Sequence, residues 1–127
     1  MLEMTIDEIK DMEEINMVLE NRTGSHLIGI RLADGCIYNI PYSGSTARIN
    51  FEQIEVGEID GISIYRNGHG EVKGLPDVCE GTVYIVSRLV AEYVKRPDVV
   101  CPNTAPGHVL RDEYGLPVAV DSFITYG

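Results

Sequence analysis

The stretch Gly81-Thr-Val-Tyr-Ile-Val-Ser87-Arg-Leu-Val-Ala-Glu-Tyr-Val-Lys-Arg96-Pro-Asp98-Val-Val-Cys-Pro102 decides how the chain is read. Val83 and Ile85 have the spacing of a strand. Ser87 is a residue type that starts helices, and Leu89, Val90, Tyr93 and Val94 then fall on one helical face. Pro97 stops that helix and biases Arg96 toward an extended backbone, so Val99 onward reads as a second strand. The segment is predicted as β-α-β, with the pairing direction of its two strands left open.

Outward from this segment the hydrophobic period is two. Ile15, Met17 and Leu19 alternate with polar neighbours, and Asn21-Arg-Thr-Gly24 makes a turn. His26 to Leu32 reads as a strand, Ala33-Asp-Gly35 as a tight turn and Cys36 to Ile40 as the hairpin partner. After Pro41-Tyr-Ser-Gly-Ser45, Ala47 to Ile54 resumes a strand. Glu58-Ile-Asp-Gly61 turns, Ile62 to Tyr65 is a short strand, and Asn67-Gly-His-Gly70 is expected to turn again. His108 to Arg111 and Leu116 to Ile124 form a closing hairpin around Asp112-Glu-Tyr-Gly115. At the other end, Thr5-Ile-Asp-Glu8 has capping-box spacing, and Ile6, Ile9 and Met12 follow at helical intervals. That predicts a short acidic helix from Thr5 to Glu13. The expected class is α+β: a small, mostly antiparallel β domain with one central helix and a short N-terminal helix. Residues 1–14 read as an acidic extension and 15–127 as a single domain.

The 127 residues, 44% hydrophobic, are enough for one buried core. No run of 18 apolar residues is present, so no membrane span is expected. The acidic start lacks the pattern of a secretory signal, and Cys36, Cys79 and Cys101 have no metal spacing. A cytoplasmic protein with reduced thiols follows as the expectation. The net charge is −10, and residues 1–20 hold seven acids against one lysine. Duplex nucleic acid would be repelled by such a chain, so direct DNA binding is not expected. Seven of the ten bases are arginine, whose planar fork suits carboxylates and phosphates.

Three constellations are candidates for a ligand site. Ser87-Arg88 stands at a helix start, where free amides favour an anion, although serine is also a plain cap. Tyr42, Ser43, Ser45 and Arg48 gather hydroxyls and a guanidinium around Gly44, a set that also suits an ordinary turn. Arg96, Asp98, Arg111 and Asp112 read either as loop-fixing salt bridges or as arginines aimed into a pocket. His26, His69 and His108 have no spacing that makes a metal site, and no nucleophile motif places a serine or cysteine beside them.

Several segments occur in a familiar order. They are Asn21-Arg-Thr-Gly-Ser-His26, Ile40-Pro-Tyr-Ser-Gly44 with Ala47-Arg48, Gly57-Glu-Ile-Asp-Gly61, Gly74-Leu-Pro76, Gly81-Thr-Val-Tyr-Ile-Val-Ser87, Arg96-Pro-Asp98-Val-Val and Arg111-Asp112-Glu-x-Gly115. As an ordered set, from about Asn21 to Phe123, they resemble a family of small proteins encoded by bacteriophages and prophages. The acidic stretch before Ile15 and the Thr-Gly-Ser-His26 sequence depart from that family's pattern. The resemblance implies a phage origin and an action against host defence, by association only.

The combined expectation is a binding protein, with no catalytic residue, metal or cofactor assigned. Its ligand would be a small anionic nucleotide, a cyclic oligonucleotide or an NAD-derived signal, sequestered in the host cytoplasm by a homo-oligomer. Tyr42, Ser43, Ser45, Arg48, Tyr84, Ser87, Arg88, Arg96 and Arg111 are the residues expected to bind it, with Tyr42 or Tyr84 stacking on a base. Two other readings stand beside it: an acidic protein that blocks a host protein as a nucleic-acid mimic, and a nucleotide hydrolase using His26 or His108.

Overall fold

The computed structural model describes residues 18–24 and 27–127. The helix expected at Thr5 to Glu13, the first residues of the strand expected from Ile15, and His26 lie outside the described residues. The decisive segment folds as read: β6 (Thr82–Ile85), α1 (Arg88–Val94) and β7 (Val99–Pro102) form β-α-β. The two strands pair in parallel, Tyr84 with Val99 and Ile85 with Val100. Before them come β1 (Val18–Asn21), β2 (Leu27–Arg31), β3 (Ile37–Pro41), β4 (Arg48–Ile59) and β5 (Ile62–Lys73). After them come β8 (Val109–Arg111), β9 (Pro117–Val120) and β10 (Phe123–Thr125).

The central sheet has the order β1-β6-β7-β10. β1 joins β6 in parallel, and β10 runs antiparallel to β7. Period-two alternation divides its apolar residues between two covered faces. Tyr84, Val86, Val99 and Cys101 pack with Val90 and Ala91 of α1 and with Ala47, while Ile49, Val72 and Leu75 close round them. Ile85, with Leu19, Val100 and Phe123, packs instead on Ile28, Ile30 and Ile40 of a second sheet. That sheet has the order β3-β2-β9-β8, with β2 and β9 in parallel. Burial on both sides explains why β6 and β7 read as nearly unbroken apolar runs.

The expected α+β class with mostly antiparallel strands is therefore corrected. The protein is mostly β, and its two larger sheets are mixed. Among the described residues α1 is the one α-helix, seven residues long. The cause is local: Ser87 is still extended, and Lys95 already turns left-handed at φ 50°, two residues before Pro97. No helix among the described residues is long and apolar enough to cross a membrane.

Two further expectations fail for instructive reasons. Asn67-Gly-His-Gly70 is not a turn; it lies within β5, and β4 and β5 are twelve residues each. Its glycines make room for neighbours. A Cβ on Gly70 would lie 2.8 Å from Ile49 Cδ1 and 3.0 Å from the Tyr93 ring, and one on Gly68 would lie 2.9 Å from Ile54 Cδ1. Leu116 to Ile124 is likewise not one strand, because it breaks at Asp121-Ser122 so that β9 stays in the second sheet and β10 crosses to the first.

Candidate functional site

Of the nine residues expected to bind a ligand, the structure brings Tyr84 and Arg96 together, but as part of a clasp. Tyr84 is buried, and the Arg22 and Arg96 guanidinium carbons lie 5.8 Å and 6.0 Å from its ring centroid. Arg96 donates to both Asp98 oxygens, at 3.0 and 2.6 Å, and to the Pro76 carbonyl at 2.9 Å. Arg22 donates to Glu20 at 2.9 Å and to the Gly74 carbonyl at 2.7 Å. The two cations thus fasten the Gly74-Leu-Pro76 connection over the ring. The Asp98 hydrogen bond raises the Arg96 pKa, and desolvation first, then the charge of Glu20, raises that of Tyr84. A ring enclosed in this way is not available to stack on a base.

The remaining expected residues are distributed among local contacts. Ser87 makes no side-chain capping bond, and Arg88 pairs with Glu92 one turn along, at 2.5 Å. Arg111 donates to the Gly115 carbonyl at 3.0 Å, while Asp112 accepts from the Tyr114 and Leu116 amides at 2.8 and 3.0 Å. Arg96–Asp98 is therefore a true ion pair, and Arg111 and Asp112 each staple their own hairpin. Tyr42 and Thr46 hydroxyls meet at 2.8 Å, and Ser43 Oγ donates to the Ser45 carbonyl at 3.2 Å. This loop is tied to the exit of β1, the Ser43 amide donating to Asn21 and the Ala47 amide to Arg22. Arg48 follows it, exposed and without an ion pair among the described residues.

Two features escaped sequence reasoning. Asn21 is completely buried; its Nδ2 donates to the Ile40 carbonyl at 3.3 Å, and its Oδ1 accepts from the Thr23 amide and hydroxyl. It joins the exit of β1 to β3, and nothing in a polar residue at a turn announces burial. His108 Nδ1 lies 2.9 Å from Asp121 Oδ1, which also accepts from Ser122 Oγ at 2.8 Å. The His108 contact, and after it the Ser122 hydrogen bond, hold the Asp121 carboxyl below the usual carboxylate range. Here the serine hydroxyl donates to the carboxylate and not to the imidazole, so the order of a nucleophilic triad is not made. Among the described residues no three His, Cys, Asp or Glu side chains gather for a metal.

The feature that departs most from a closed body is the β4–β5 arm. Its inner end is anchored. Phe51 meets Tyr93 of α1 edge to face at 5.7 Å, and the Tyr93 hydroxyl bridges the Gly70 amide and carbonyl at 3.1 Å each. Its tip is Asp60-Gly61, with φ of 50° and 82°, the conformation a two-residue hairpin turn requires. From Gln53 outward the arm runs roughly 20 Å. The register places Ile54, Ile59, Ile62 and Ile64 on one face, because Ile59 pairs with Ile62, Gly57 with Ile64 and Ile54 with Arg66. Ile59 and Ile62 are 62% and 68% exposed. The sequence signal was present: Ile59-Asp-Gly-Ile62 is a strong hairpin signature, and strands continue past it on both sides.

The chain matches no family model, and no curated protein and no solved structure is significantly similar to it.

Proposed function

We propose that the protein is a non-catalytic binding protein that docks on a partner polypeptide through the isoleucine face of the β4–β5 arm. The observation that carries this reading is the face itself: isoleucines at a hairpin tip, held away from the core on an anchored stem. Isolated exposed apolar residues are ordinary, whereas a contiguous set marks an interaction surface. Covering the exposed part of each isoleucine is worth about 1 kcal/mol. By register Arg66 shares the isoleucine face, while Glu55 and Glu58 stand on the opposite face with Tyr65 and Ser63, so the fitting partner offers an apolar groove. The resemblance to phage and prophage proteins supports a bacterial host protein as that partner, with the cytoplasm as the place of action.

Replacing Ile59 and Ile62 together by aspartate tests the reading. The expected result is at least a tenfold loss of affinity for the polypeptide that co-purifies with the wild type, at unchanged melting temperature. A wild-type protein that retains no other polypeptide, or retention that the double variant leaves intact, overturns it.

A second reading, capture of a small anionic nucleotide, has one observation in its favour. Arg48 stands beside the hydroxyl-rich Tyr42–Thr46 loop, unlike Arg88 and Arg96, which already hold carboxylates. Mass spectrometry of molecules released by heating should then recover an intact nucleotide from wild type and none from Arg48→Ala. Recovery of a hydrolysed product would favour the hydrolase reading.

A further inference from the structure

We infer that a second copy of this chain pairs with the arm along the β5 edge, antiparallel, about a two-fold axis passing through Ser63. The inference rests on the reading of the arm as a docking element and names the occupant of its edge, leaving its isoleucine face for the partner polypeptide.

The arm is a two-stranded sheet, so each strand has an outer edge with no neighbour among the described residues. The two edges differ in charge. The outer half of β4 carries Glu55 and Glu58, with Glu52 just inside it, and antiparallel pairing with itself would bring like charges together. The outer half of β5 reads Ile62-Ser-Ile-Tyr-Arg66, rich in β-branched and aromatic residues with a single charge. This is the edge that accepts its own copy.

Backbone direction selects the centre. In a two-residue hairpin the closing pair, Ile59 and Ile62, exchanges both hydrogen bonds inward. The next residue, Ser63, opposite Glu58, therefore turns its N–H and C=O outward. With the axis at Ser63, antiparallel registration sets Ile62 of one copy beside Ile64 of the other, twice. It also brings Asp60 at one tip toward Arg66 of the second copy, twice. Neither Asp60 nor Arg66 forms an ion pair within the chain among the described residues. The edge is thus complementary to itself in backbone direction, apolar side chains and charge, as an isologous contact demands. The result is a four-stranded ribbon with a doubled isoleucine face.

The test is sedimentation velocity up to about 100 µM, a range suited to an edge contact of modest area. Wild type should pass from monomer to dimer. Ser63→Pro removes an outward N–H, the kind of edge position that proline tolerates, and should stay monomeric. Arg66→Glu, which leaves the backbone alone, should weaken the dimer at least fivefold. In a Cys36→Ser, Cys79→Ser background, Ser63→Cys should form a disulfide between copies, since facing bonded residues lie about 5.5 Å apart. A wild type that stays monomeric throughout, or a dimer indifferent to both Ser63→Pro and Arg66→Glu, overturns the inference. A monomeric wild type that still retains its partner polypeptide leaves the proposed function standing. A dimer that retains none does the reverse.

Discussion

The clasp around Tyr84 and the arm beyond Phe51 treat their conspicuous residues in opposite ways. In the clasp, two arginines and an aromatic ring, the residue types that most often meet ligands, are consumed by the fold's own carbonyls and carboxylates. In the arm, isoleucines that most often fill a core are left in the open. Residue type alone does not tell the two regions apart; what separates them is whether the chain itself supplies a partner. If this contrast is right, damage to the body should cost stability, and damage to the outer arm should cost only interactions.

The largest effect is expected where the two sheets meet. Ile85 is fully buried between β2, β3 and the central sheet, so Ile85→Ala should destabilise by about 2–5 kcal/mol in urea unfolding. A loss below 1 kcal/mol would mean that the sheets do not share a tight core.

Next comes the clasp. Asp98→Ala leaves the part-buried Arg96 guanidinium without its carboxylate, an expected loss of about 1–3 kcal/mol. Tyr84 adds a pH signature. Its folded-state pKa lies above the unfolded value near 10, so the native state holds the phenolic proton more tightly. This contribution is fully present below pH 10 and is lost as pH rises through the folded value. Tyr84→Phe should remove that alkaline decline in a pH series of melting temperatures; an unchanged decline would place its origin elsewhere.

The same series serves the His108–Asp121 contact, with the sign reversed. Asp121 has a depressed pKa, so its contribution is present above the ordinary carboxylate value of 3.8 and disappears as pH falls through the folded value. Asp121→Asn should flatten the acid limb. This effect is smaller, because the pair is substantially exposed and screened by solvent.

How much of this was legible before the structure follows the same division. The β6-α1-β7 unit was readable because Ser87 and Pro97 bracket a change of period from two to 3.6 and back. The β2–β3 hairpin was readable from Ala33-Asp-Gly35. The parallel pairing of β1 with β6 was not, because residues about sixty positions apart carry no mark of adjacency in one sequence. Gly68 and Gly70 misled because a glycine that admits a neighbour's side chain looks, in sequence, like one that turns the backbone. The candidate site fared worst. Arg88, Arg96 and Arg111 had carboxylates or carbonyls within a few residues, Glu92, Asp98 and Gly115, and local partners claimed them. The arm's turn was seen, but its length and exposure depend on where the core ends, which only packing decides.

The smallest stability effect should come from the arm. Ile62 is two-thirds exposed, and its register partner Ile59 is exposed as well, so Ile62→Ala removes little buried surface. The expected change is within about 0.5 kcal/mol in dilute monomeric protein. The measurement sharpens the contrast because Ile62 and Ile85 are the same residue type on strands of the same chain. Equal losses at both would mean that the isoleucine face is covered within the monomer, and the reason for regarding it as a docking surface would vanish. A wide gap, with the Ile62 variant losing stability only at concentrations where copies associate, would tie that side chain's contribution to assembly alone.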